Sequence, residues 1–300
     1  MRQLLRLTVL ALCALLLWRA VDWSEAAHLL RAADPRWLAG ALVLLTLQTV
    51  LSAERWRITA AQLGITFPFR HALREYYLSQ VVNQSLPGGI LGDAGRAVRA
   101  REQAGLLASG QTVLFERIAG QIGLVAMLLI GLAIGLAAPG LHDWPGWFRT
   151  LGATFLGICA GVCLLVFVLV RRFAPVRRAV SRATGAFWHA VAGRAVRHRQ
   201  VVLSLATALC NVAAFALCAA AIGAPLTLLS AITLIPLVLF AMVLPLSIGG
   251  WGLREGAAVA LFPLFGATAG EGLAASVAFG LTILVSVLPG FVLGWTARKG

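Results

Sequence analysis

The sequence predicts an all-α integral membrane protein of about six transmembrane helices plus two re-entrant broken helices, arranged as an inverted repeat. Three observations carry that expectation. Of the 300 residues, 60% are hydrophobic and only 12% are charged, whereas soluble domains carry roughly a quarter charged residues. Several apolar runs reach the roughly 20 residues that a bilayer crossing needs. Finally, the stretch Leu86-Pro-Gly-Gly-Ile90-Leu-Gly92-Asp-Ala-Gly-Arg96 has a near-copy, Leu244-Pro-Leu-Ser-Ile248-Gly-Gly250-Trp-Gly-Leu-Arg254, whose Leu, Pro, Ile, Gly and Arg recur 158 positions later. Paired Gly/Pro interruptions at corresponding points of two halves point to a transport site in membrane proteins.

The elements follow in order. A first apolar run, about 4–18, opens after Arg2 and Arg6 and resembles a signal peptide. It is read as a retained span, because Trp18-Arg19 ends it without a clean small-residue cleavage site. A mixed-charge loop leads to a second span, about 37–53, and then to a basic stretch with Arg55, Arg57, Arg70, His71 and Arg74. The apolar run 76–91 is broken by Pro87-Gly88-Gly89. Arg96, Arg99 and Arg101 follow, and a long span fills about 112–137.

Counting charges decides how 76–91 runs. A full crossing would export the segment 171–200, which holds Arg171, Arg172, Arg177, Arg178, Arg182, Arg194, Arg197 and Arg199 and no acid. That violates the positive-inside rule. A segment that dips in and returns leaves every basic run on the cytoplasmic side. Irregular backbone at membrane depth is tolerated only where protein or a water-filled cavity covers it, so the break implies a cavity. The segment 171–200 either lies on the inner leaflet as an amphipathic helix or is a solvated positive loop.

The second half repeats the plan. Spans are expected at about 150–170 and 201–222, a broken apolar run at 227–246, a short helix at 253–264 matching 94–106, and a last span at 271–295. One polytopic domain, 1–300, thus contains unit one (about 37–137) and unit two (about 201–296), in opposite orientations. Both termini are expected in the cytoplasm.

Composition also excludes classes. The net charge of +14 follows from arginines at span ends, and no nucleic-acid module is visible. Five Cys lie in apolar runs and five His are scattered, so no metal or other cofactor is expected. No catalytic set, phosphate loop or sugar-nucleotide signature appears, and the protein is not read as an enzyme.

Polar groups in or beside apolar segments mark the expected path, since a charge at the centre of a span costs roughly 2.5–3.5 kcal/mol on insertion scales. These are Asn83, Asp93, Arg96, Glu116, Arg117, Arg254 and Glu255, joined by Pro87, Gly92, Pro245, Ser247 and Gly250 of the two broken turns. Glu116-Arg117 and Arg254-Glu255 also fit snorkelling pairs near an interface. The short helices near Asp93 and Gly252 aim their N-termini at the turns, where phosphate binds well. Arg96 and Arg254 are expected to hold that phosphate bidentately, with Glu116 and Glu255 offsetting charge or relaying protons.

Four segments in this order, Arg55-Trp-Arg57, Asn83 through Arg96, Glu116-Arg117 and Leu244 through Glu255, resemble the membrane region of lysylphosphatidylglycerol synthase/flippase proteins. The resemblance implies an integral protein of the bacterial inner membrane related to lipid flippases. Better-known members carry a soluble aminoacyl-transferase domain after the membrane part, whereas this sequence stops at Gly300. The implied role is therefore translocation of a lipid or lipid-linked head group, with membrane phospholipid or another anionic lipid as partner. A small-solute secondary transporter and a non-catalytic subunit serving a lipid-modifying enzyme are the alternatives. A homo-oligomer is compatible with each.

Overall fold

The computed structural model describes residues 23–86, 89–137, 161, 164–165, 167–243 and 249–296. Pro87, Pro245 and Ser247 lie outside them, as does the run 4–18; the span expected at 150–170 is largely outside as well. The described residues form helices joined by short turns, with no strand among them.

A short helix α1 (Trp23–Arg31) precedes α2 (Pro35–Gln62). Asp34 caps α2 by accepting from the Arg36 amide at 2.8 Å, and Pro35 occupies the first helical position, where its missing N–H costs nothing. At about 42 Å by helical rise, α2 exceeds the hydrocarbon core. Helices α3 (Phe69–Ser85) and α4 (Leu91–Arg99) flank the first broken turn. The long helix α5 (Arg101–Ala137) is kinked at Gly105. Next comes α6 (Ala174–Ala192), so much of the basic segment 171–200 is helical. Helix α7 (Arg197–Ala221) leads to α8 (Leu228–Phe240). Past the second turn lie α9 (Leu253–Leu261), α10 (Ala269–Ser286) and α11 (Pro289–Thr296). Thr268 and Glu271 form a reciprocal capping box at the start of α10.

Among the described residues, four helical stretches are long and apolar enough to cross a membrane: Pro35–Gln62, Arg101–Ile134, Arg197–Ala221 and Ala269–Phe291. The first contains the expected span 37–53; the others overlap the expected spans 112–137, 201–222 and 271–295 and stop one to four residues short of their ends. The broken runs give shorter helices, of 17 residues in α3 and 13 in α8.

Helices α2 and α7 pack along one another at the centre, and each ends in the same way. Gly64 (φ 81°) follows α2 and Gly223 (φ 87°) follows α7. The amides of Ile65 and Ala224 each return 3.0 Å to a helix carbonyl, of Ala60 and Ala219 respectively. Both ends are therefore Schellman-type caps, which need the left-handed conformation that glycine adopts without strain. Around this pair, α5 packs on α7 and α8, while α10 packs on α7, α2 and α9. The apolar core lies here, with Phe215 of α7 against Phe279 of α10 at 5.0 Å between ring centres.

The outer surface is apolar too. Leu114, Ile118, Ile122, Val125 and Leu129 of α5 are exposed at spacings of three and four residues, which is one face of a helix. A contiguous apolar stripe of this kind is at home against acyl chains.

Candidate functional site

A cavity of about 290 Å³ opens inside this bundle. Its wall draws on α2, α3 and α5 of the first half and on α7, α8 and α10 of the second. Gly89 and Gly250, from the two broken turns, both line it.

The cavity's electrostatics come from five side chains. Arg55 projects from α2, is 4% exposed, and gives its Nη2 to Glu116 Oε1 at 2.6 Å. Its Nε meets the same oxygen at 3.2 Å, and its Nη1 donates to Thr207 of α7 at 2.7 Å. Tyr76 donates its hydroxyl to Glu116 Oε1 at 3.3 Å. Arg96 of α4 reaches the other Glu116 oxygen at 3.4 Å and Asp93 at 3.0 Å. Arg117 pairs with Asp93 and donates to the Gly89 carbonyl at 3.3 Å. Among the described residues, three guanidinium groups thus face two carboxylates, leaving one positive charge in excess.

Arg96 is held from both sides. Its guanidinium stacks 4.4 Å from the Trp56 ring centre and 4.6 Å from that of Tyr76, while Nε and Nη1 find no hydrogen-bond partner among the described residues. The π faces supply the attraction that hydrogen bonds do not. Trp56 is fixed in turn by donating to Thr112 at 3.0 Å.

The first turn is tied to α3. Asn83 accepts from the Gly92 amide at 2.8 Å and donates to Asp93 at 3.1 Å, and Ser79 donates to Asp93 at 2.9 Å. A Cβ at position 92 would collide with the Ser79 carbonyl, so only glycine lets α4 approach α3 this closely.

The second buried arginine is built differently. Arg254 is 1% exposed; its Nε meets Ser276 at 2.9 Å and Glu255 at 3.1 Å. The rings of Trp251 and Phe279 lie 5.0 and 5.6 Å from its guanidinium. Glu255 also accepts from the Gly252 amide at 2.6 Å. In both short helices, then, a side chain of the protein already occupies an N-terminal amide.

Of the residues read from sequence, Asn83, Asp93, Glu116, Arg117 and Gly250 line the cavity. Gly92 and Arg96 stand directly behind its wall. Arg254 and Glu255 form a separate buried pair, which meets the cavity lining through Phe279 and through the Arg254 amide bonded to Gly250. Sequence reading took Arg55 for part of a basic flank between spans; it is instead within α2 and central to the cluster. It also passed over the uncharged polar wall, in which Gln80 exchanges hydrogen bonds with Thr49 at 3.2 Å. Glutamine has no preferred spacing that would have marked it.

None of the curated proteins compared with the chain matches it. A family model described as the lysylphosphatidylglycerol synthase TM region matches residues 3–290. Four apolar helices of spanning length agree with a multi-pass membrane protein. By that match over nearly its whole length, the chain belongs to the lysylphosphatidylglycerol synthase transmembrane-region family.

Proposed function

We propose that the protein carries the head group of an anionic lipid across the bacterial inner membrane, with the head-group phosphate against Arg55 and Arg117 in the cavity. The observation that carries this reading is the charge count. Three arginines around two carboxylates leave a single positive charge inside a membrane bundle, where an uncompensated charge is costly. One anionic group neutralises it. Arg117, with its side chain 44% exposed, is the arginine most open to an incoming group.

Size supports a head group over a whole lipid. About 290 Å³ sits at the small end of ligand sites, and acyl chains stay outside. Leu86, Ile90 and Leu91 on the first turn are exposed beside the cavity and offer an apolar rim for them.

The inverted repeat supports passage from both faces. Arg96 and Arg254 lie 158 residues apart, and the caps at Gly64 and Gly223 lie 159 apart. Helices α2 to α5 have counterparts in α7 to α10, and the contact of α2 with α5 recurs between α7 and α10. The arginine-rich flanks favour cytoplasmic termini. Phosphate is assigned to Arg55 and Arg117, which line the cavity, in preference to Arg254, which does not. No bond-making step is assigned to the chain.

Reconstitution tests the reading. Purified protein in liposomes should speed exchange of a head-group-labelled anionic phospholipid between leaflets, and Arg117→Gln should slow it by about tenfold or more, the effect of one charge-assisted hydrogen bond. Uptake of a soluble anion with no lipid exchange would favour a solute transporter. Activity only in the presence of a co-purified lipid-modifying enzyme would favour an accessory subunit.

A further inference from the structure

The charged cluster covers one wall of the cavity. Much of the remaining polar lining is carboxamide: Gln48, Gln80, Asn83, Gln84, Gln121 and Asn211. Each such side chain offers both N–H donors and an accepting oxygen. Some of that capacity is spent inside the protein, since Asn83 serves Gly92 and Asp93 while Gln80 serves Thr49. Gln84 and Gln121 make no hydrogen bond among the described residues, and Gln121 Oε1 is screened from solvent without a partner. Asn211, which also lines the cavity, gives its amide to the Thr207 carbonyl at 3.1 Å, and its oxygen accepts no hydrogen bond among the described residues.

A buried acceptor left unpaired is unfavourable until a ligand donates to it. An ammonium group would donate, but Asp93 and Glu116 are already engaged by three guanidiniums, so a cationic head group meets net positive charge. Hydroxyl groups carry no charge and both donate and accept, which matches carboxamides on several sides. We infer that the head group carries, beside its phosphate, an uncharged polyhydroxylated portion, a sugar or polyol, read by Gln84, Gln121 and Asn211. This inference rests on the anionic-head-group reading.

The test compares three short-chain lipids on the full chain in detergent, by thermophoresis: phosphatidylinositol, phosphatidylmethanol, which has the phosphate but no hydroxyl, and lysylphosphatidylglycerol. Phosphatidylinositol should bind about tenfold more tightly than phosphatidylmethanol, one or two net hydrogen bonds' worth. The double variant Gln84→Leu/Gln121→Leu removes no hydrogen bond among the described residues; it should erase that advantage and leave phosphatidylmethanol binding unchanged. Equal affinities for the two lipids would overturn the polyol inference while the anionic reading stands; tightest binding of lysylphosphatidylglycerol, whose head group is net cationic, would overturn both. If phosphatidylmethanol does not bind, or Arg117→Gln leaves its binding unchanged while the polyol preference is absent, the anionic reading falls and this one with it.

Discussion

Arg55 and Glu116, 61 residues apart in sequence, meet at 2.6 Å with both side chains shielded from solvent. Their bond joins α2 to α5, and the same guanidinium reaches Thr207 on α7. Removing one member strands the other. Glu116→Ala should therefore cost about 3–5 kcal/mol of stability, read as a lowered midpoint in thermal unfolding of the detergent-solubilised protein. The double change Arg55→Met/Glu116→Leu should recover part of it, because Arg55 is no longer stranded, while Arg96 loses Glu116 and keeps Asp93.

Gly92 and Gly95 separate close approach from simple helix propensity. A methyl at position 92 meets the Ser79 backbone, whereas one at position 95 meets only the far end of the Arg99 side chain. Gly92→Ala should destabilise by about 1–3 kcal/mol, the range for overpacking. Gly95→Ala should be neutral or slightly stabilising in helix α4. Comparable losses for both in unfolding experiments would contradict this packing argument.

The two unlike arginines give opposite expectations. Arg117 is partly exposed and lines the cavity, so Arg117→Gln should leave the unfolding midpoint nearly unchanged and weaken anionic-lipid binding. Arg254 is enclosed by Glu255, Ser276, Trp251 and Phe279. Arg254→Gln should lower the midpoint markedly, while the protein that remains folded keeps its lipid affinity. Measuring both quantities on both variants decides the matter.

Orientation is open to chemical labelling. Gly185 of α6 is exposed, with open space where a side chain would be built. In a background with all five cysteines replaced, Gly185→Cys should react with a membrane-impermeant maleimide in inside-out vesicles and not in right-side-out ones. Labelling with the opposite sidedness would refute the positive-inside assignment.

The helices were largely readable in the sequence because their signals are local. Apolar runs of spanning length and Pro and Gly interruptions lie within short windows, and each copy of the recurring motif, 86–96 and 244–254, is itself short. The site was only half readable. Asp93, Glu116 and Arg117 stood out as charges against an apolar background. Arg55 did not, because its neighbour Arg57 and the later Arg70 and Arg74 made it look like one more member of a flank; its partner is visible only after folding brings α2 and α5 together. The carboxamide wall was equally hidden, since Gln48, Gln84, Gln121 and Asn211 come from four helices and share no spacing.

One contact between the two turns has a mechanical consequence. Gln84, at the end of α3, lies so close to Gly249 that a Cβ there would strike its amide oxygen. The two turns therefore meet at the cavity's edge. A shift of one turn against the other would change the cavity's width and its entrance together, so how tightly a guest is held and from which side it can leave depend on one contact.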